Sequence, residues 1–163
     1  MPDWIPGVTD HQTIVAGWRE WVSLPGLGVP WLKAKLDTGA RSSAIHAFHL
    51  SEFEREDATW VRFAVHPWQK SADDETWMEL PLLDRRLVRS SSGHVQRRHV
   101  VVMPVSIMKV TVDAEVTLSR RDEMGFRMLL GREVLRQGYL VDPSRSYLGG
   151  RPKRSVRRKN RGR

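Results

Sequence analysis

Alternation of apolar and polar residues with a period of two recurs along this 163-residue chain and points to a fold built from strands. The clearest case is WLKAKLD, Trp31 to Asp37. It puts Trp31, Lys33 and Lys35 on one face and Leu32, Ala34 and Leu36 on the other. Successive side chains of a strand point to opposite sides, so this is the pattern of a strand half-buried on a core. TIVAGWREWVSL (Thr13–Leu24), TWVRFAVHP (Thr59–Pro67) and KVTVDAEVTLS (Lys109–Ser119) alternate in the same way and are rich in β-branched or aromatic residues. The stretch from Trp77 to Met108 predicts two strands around a hairpin tip at Ser91-Ser92-Gly93. Helical residues and spacing are confined to REVLRQ (Arg132–Gln137), between Gly131, which breaks the apolar run RMLLG, and Gly138, a capping glycine. PGLGVP (Pro25–Pro30) and QKSADDET (Gln69–Thr76) supply turns and loops, and no internal repeat is found. Many short strands with little helix predict an all-β barrel or sandwich.

The length suits one domain with its own core. The net charge of +8 suggests nucleic acid, but its distribution moves that inference to one end of the chain. Gly149–Arg163 holds eight of the 27 basic residues and no acid, and the 19 that remain balance the 19 acidic residues of the body. We therefore divide the chain into a neutral domain, 1–148, and a basic tail, 149–163, whose poverty in apolar residues predicts disorder. Such a tail can contact RNA, an anionic surface or an acidic partner through its charges, or simply keep the protein in solution. The seven tryptophans read mostly as core and interface filler. The chain has no cysteine, so disulfides, thiolate nucleophiles and cysteine-based zinc sites are excluded. MPDWIPGVTDHQ does not have the form of a signal peptide, and no window approaches a membrane span, so a cytoplasmic protein without membrane contact is expected.

Elimination narrows the chemistry. His46 and His49 are three apart in an extended stretch, where they face opposite sides, and no His-Glu-x-x-His occurs, so no metal site is expected. No phosphate-cradling glycine motif is present, and no cofactor is expected. No serine stands in Gly-x-Ser-x-Gly. There remains Asp37-Thr38-Gly39, which occurs once. On structural grounds it is a good turn, with Asp accepting backbone donors and Gly taking unusual backbone angles. Its approach through an apolar strand face also suits a catalytic carboxylate. Two such carboxylates brought together share a proton, one acting as base on a water and the other as acid on a carbonyl. With one copy of the turn per chain, the second carboxylate comes from another copy across a two-fold axis.

KAKLDTGARSSAIHA, SSSGHVQRRHVVV and LSRRDEMGFRMLLGREVL together resemble the retropepsin-like aspartic peptidases. They are most similar to the bacterial branch labelled ATP-dependent zinc proteases and associated with RimK-type glutamate ligases. The likeness runs in order from about Ile14 to Leu148. It implies a closed acid-protease β-barrel with one short C-terminal helix. It makes Asp37 catalytic, gives Thr38 the hydroxyl that ties the two active-site loops across a homodimer, and puts Gly39 against the substrate backbone. The hairpin at Ser91, Ser92 and Gly93 becomes the flap, and Ala40 joins the substrate-binding set. Gly131 and Arg132 belong to the apolar-Gly-Arg element behind the loop, with Arg132 structural.

Two departures stand out. Viral members of the family carry an acid two positions after the glycine, whereas this chain has Arg41. Arg41 either selects an acidic peptide, such as a glutamate-rich tail, through bidentate hydrogen bonds, or pairs with Glu133 or Asp122. The second departure is the long stretch from His49 to Leu80 between the active-site strand and the flap. The label's zinc and ATP have no motif here, so any ATP belongs to an ATP-grasp glutamate ligase partner. The expected activity is an aspartic-type endopeptidase acting on peptide or isopeptide bonds of an acidic protein or peptide. The alternative is a non-catalytic barrel that binds such a peptide or the ligase, because an arginine beside the presumed pair opposes a shared proton.

Overall fold

The computed structural model describes residues 13–89, 92–120 and 125–162. Eleven strands lie in these residues. They are β1 (Ile14–Gly17), β2 (Arg19–Leu24), β3 (Val29–Leu36), β4 (Ser43–His46), β5 (Phe48–Arg55), β6 (Ala58–Val65), β7 (Thr76–Arg89), β8 (Val95–Ile107), β9 (Val110–Ser119), β10 (Met128–Leu130) and β11 (Tyr139–Asp142). The short helix α1 (Arg132–Leu135) follows β10, and a second helical turn, α2 (Arg154–Arg157), runs into a 3-10 turn at Arg158–Arg161 near the C-terminus.

Strands β2, β3, β10, β4, β9 and β8 are hydrogen-bonded in that order, and a pairing of Ser23 with Ser106 joins β2 to β8 and closes the barrel. The expected closed acid-protease barrel is therefore present. Its interior is filled by alternating residues, among them Leu32, Ala34 and Leu36 of β3, Met103 and Val105 of β8, and Met128 and Leu130 of β10. The opposite face of β3, with Trp31, Lys33 and Lys35, stays partly exposed, as the alternation predicts. Alternation fails in β9 after Glu115, where Val116, Thr117, Leu118 and Ser119 are all buried. Helix α1 packs across β9 and covers its outer face.

The long insert after β4 forms two antiparallel strands, β5 and β6, which extend the sheet beyond β7. A polar cluster fastens this extension to the flap-like hairpin. Glu52 of β5 accepts hydrogen bonds from Arg85 of β7 at 2.8 and 2.7 Å, and lies 2.8 Å from His99 Nε2 of β8. Hydrogen bonding by Arg85, then by His99, brings the Glu52 carboxyl down to about 2.

The stretch Thr13–Leu24 is broken into β1 and β2 at Trp18, a break that the sequence pattern does not show. Gly17 passes the backbone of Arg145 so closely that a Cβ there would lie 2.5 Å from the Arg145 carbonyl oxygen. Glu20 is fully buried beside this crossing. Its carboxylate accepts the N–H groups of Gly17 (2.7 Å), Leu148 (3.0 Å) and Gly149 (2.9 Å), which locks the C-terminal segment to the barrel.

The tail, whose composition predicts disorder, makes polar contacts with the domain. Lys159 donates to Asp74 at 2.7 Å, and the Asn160 amide exchanges two hydrogen bonds with Gln69, each 3.1 Å. Hydrogen bonds from Lys159 and Trp68 lower the Asp74 carboxyl. The loop between β6 and β7 thus holds the tail through polar pairs, which a count of apolar residues does not register.

Candidate active site

Strand β3 ends at Leu36, directly before Asp37, and runs parallel to β10, with Leu36 opposite Leu130. The Asp37 N–H donates to the Leu130 carbonyl at 2.8 Å, so the loop's first residue is pinned to the strand beside it. Asp37 Oδ1 accepts the Gly39 N–H at 2.9 Å, and the Ala40 N–H donates to the Asp37 carbonyl at 3.2 Å. These two bonds close a tight turn that leaves Asp37 half-buried and Thr38 and Gly39 exposed. Gly39 does not take a left-handed backbone, contrary to the sequence expectation. Its small size matters instead, because a Cβ at Gly39 would stand 3.2 Å from Asp37 Oδ1.

The element Gly131-Arg132 supports this turn from behind. Arg132 donates from its backbone to Ala40 O (2.7 Å) and from Nη1 to Gly39 O (2.9 Å) and Thr38 O (3.2 Å). With Arg41 in place of an acid, Arg132 thus takes backbone carbonyls as its partners. The Glu133 N–H donates to Arg41 O at 3.1 Å, and the Gly131 N–H to Ser43 Oγ at 3.0 Å. Ser43 is itself held by Thr117, whose hydroxyl donates to Ser43 O at 3.1 Å. Sequence reasoning missed Ser43 and Thr117, since a hydroxyl in a strand carries no motif.

A Cβ at Gly131 would stand 2.5 Å from Ser42 O and 2.8 Å from Ala40 O, both backbone atoms that cannot step aside. Gly131→Ala is therefore expected to cost about 1–3 kcal/mol through overpacking and to displace the Asp37 turn. Thermal unfolding will show a lowered Tm, and any peptidase activity will fall further than the stability loss alone accounts for.

Arg41 approaches Glu133 at 3.8 Å with 82 % of its side chain exposed, and Glu133 also faces Arg136 at 3.4 Å. At that length and exposure the Arg41–Glu133 pair is a loose surface contact. Arg41 and Ser42 stand at one side of an open groove of about 600 Å³, whose other walls include Arg86, Glu115, Glu133 and Gln137. Asp122 lies outside the described residues, as does Ser91 of the hairpin tip. Ser92 and Gly93 are exposed at that tip, where Gly93 has φ 84°, the left-handed region that turns favour. Among the described residues no group of three or more His, Cys, Asp or Glu is arranged to hold a metal ion, and no helix is long and apolar enough to cross a membrane.

The profile of the RimB-like family, described as retropepsin-like aspartic endopeptidase RimB, matches residues 15–152. Curated relatives include a probable alpha-L-glutamate ligase of Shewanella halifaxensis, 42 % identical over 143 residues, which are 88 % of this chain and 31 % of the relative. Another probable alpha-L-glutamate ligase, from Desulfotalea psychrophila, is 42 % identical over 130 residues, 80 % of this chain and 28 % of the relative. The chain thus spans less than a third of the length of these relatives. A crystal structure of a Legionella pneumophila protein of unknown function (DUF785) matches with TM-score 0.71 and 24 % identity, covering 83 % of this chain and 97 % of that one, and bears on the fold alone. The barrel, the Asp-Thr-Gly turn on its Gly-Arg support and the match over nearly the whole domain lead to one statement: the chain belongs to the RimB-like family of retropepsin-like aspartic endopeptidases.

Proposed function

We propose that this chain is an aspartic-type endopeptidase that works as a homodimer, with Asp37 of each copy forming the catalytic pair, on an acidic, glutamate-rich substrate. The observation that carries the reading is the half-buried Asp37 at the end of β3, in a turn fixed by Leu130, Gly39 and the two Arg132 bonds. In the dimer, Thr38 of each copy ties the paired loops together and Gly39 faces the substrate backbone. The ionised carboxylate takes a proton from a water whose oxygen attacks the scissile carbonyl carbon, while the protonated carboxyl donates to the carbonyl oxygen. Collapse of the tetrahedral species breaks the C–N bond. The amine leaves with a proton, and the water oxygen remains in the new carboxylate.

Two features support dimerisation and an acidic substrate. The flap-like hairpin exposes Leu87 (69 %) and Val95 (52 %), apolar side chains suited to closing over a cleft. Arg41 keeps its guanidinium largely in solvent beside the Asp37 turn, where it can bind a carboxylate in bidentate fashion. The relatives named as glutamate ligases carry a segment like this chain within a longer polypeptide, which fits a substrate made by such a ligase or a ligase partner.

The test is cleavage of glutamate-rich and neutral peptides of equal length, with products identified by mass. The wild type is expected to prefer the acidic peptide. Arg41→Asp should reduce that preference by about tenfold or more, as removal of a charge-assisted hydrogen bond predicts. An unchanged preference would remove Arg41 from specificity. Binding of acidic peptides without any cleavage would instead favour the non-catalytic reading, which the arginine beside the presumed pair supports.

A further inference from the structure

A concave feature lies away from the Asp37 turn, and none of residues 37–42 lines it. It is a cleft of about 700 Å³ between the outer face of β2 and β3 and the C-terminal arm. Arg19 and Lys33 come from the barrel. Arg151, Arg154, Arg157, Arg158 and Arg161 come from the arm. The last four follow a spacing of three, one and three, so that α2 and the following 3-10 turn present one arginine face. Among the described residues no acidic side chain lines the cleft.

Several arginines of the body are treated differently. Arg55 pairs with Glu79 at 2.6 Å, Arg85 with Glu52 at 2.7 Å, and Arg86 with Asp84 and Glu115 at 3.0 and 3.1 Å. Among the described residues none of the seven cleft cations pairs with a carboxylate. Arg157 Nε is shielded from solvent and donates to no acceptor among the described residues. Seven cations gathered in one cleft without a carboxylate partner repel one another, and a multiply charged anion bound there relieves that repulsion.

The aromatic residues narrow the class of anion. Trp21 is buried, and Tyr147 is already covered by Arg19 (4.9 Å), Arg151 (4.8 Å) and Lys33 (5.7 Å). No ring face is free for a base to stack on, so recognition rests on charge. An acidic peptide carries its charges on side chains whose rotamers must be frozen, whereas a nucleic-acid strand carries them on the backbone itself, and it also releases condensed counterions on binding. We propose that this cleft binds the phosphate backbone of a nucleic-acid strand, without regard to base sequence. This is independent of the peptidase reading.

Fluorescence anisotropy of the full chain with a labelled oligouridylate, over a range of salt, tests the proposal. Binding is expected at low salt, to weaken linearly in log–log form, and to be matched within a few-fold by single-stranded DNA of the same length. Arg154→Glu with Arg158→Glu should weaken it by more than about tenfold and flatten the salt slope by about 0.7 for each phosphate no longer neutralised. Both side chains are exposed, and the neutral pair Arg154→Gln with Arg158→Gln should show the same direction with less charge change. Arg19→Glu, on the barrel wall, should also weaken binding, whereas Arg62→Glu, the same charge change outside the cleft, should leave it within about twofold. Unchanged affinity in the arm variants would overturn the proposal. An effect of the arm without one of Arg19 would overturn the cleft, and oligoglutamate competing as well as RNA would reassign it to carboxylates.

Discussion

Asp37→Asn is expected to lower kcat/KM on a glutamate-rich peptide by about a thousandfold or more while leaving the barrel folded. Asparagine keeps the shape of the side chain, and its Oδ1 can still accept the Gly39 N–H that closes the turn at 2.9 Å. What it cannot do is hold a negative charge or pass a proton. Because the proposed dimer contributes the same residue twice, one substitution removes both the base and the acid. Thermal unfolding should therefore separate chemistry from folding, with a Tm close to that of the wild type and no product by mass spectrometry. Undiminished cleavage would remove Asp37 from the reaction.

The second large effect lies far from the reaction. Glu20→Ala is expected to destabilise the domain by about 3–5 kcal/mol, read as a shift of the denaturant midpoint. The carboxylate is fully buried and serves three backbone donors, those of Gly17, Leu148 and Gly149. Alanine leaves all three N–H groups without an acceptor and opens a void between the β1–β2 crossing and the C-terminal segment. Glu20→Gln retains an acceptor oxygen and should cost less. Equal losses in the two variants would mean that the negative charge of the carboxylate, and not its volume or a single acceptor oxygen, sets the role of Glu20. The same residue anchors the start of the arm that forms the basic cleft, so Glu20→Ala should also weaken nucleic-acid binding.

Much of the fold is legible because a barrel wall imposes a simple rule on the sequence. The alternation of Trp31 to Leu36 survives intact, and Lys109–Ser119 and REVLRQ each become the element their pattern predicts. Legibility fails where one segment is shaped by another far away in sequence. The break at Trp18 is set by the close pass of Gly17 against Arg145, and the burial of Thr117 by α1 lying across β9. The contacts of the tail are hidden for the same reason, since Asn160 and Lys159 find their partners at Gln69 and Asp74.

The site shows the same division. Asp37, Gly131 and Arg132 are legible as residues because their types recur together in a specific order. Their physical roles are less so. Gly39 is required for space beside Asp37 Oδ1 and not for a left-handed turn, and Arg132 holds carbonyls of the loop in place of a carboxylate at position 41. Arg41 remains the feature that separates this chain from the viral pattern, and its exposure makes it accessible to substrate.

The central claim is that two copies of Asp37, one from each subunit, act together. It is tested most directly by mixing wild type with Asp37→Asn chain at fixed total concentration, allowing subunits to exchange, and measuring peptidase activity against the wild-type fraction. A shared pair predicts activity that falls with the square of that fraction, because every mixed dimer is inactive. Activity that falls in direct proportion, together with a monomeric mass in solution, would show that one chain suffices and would contradict the symmetric pair.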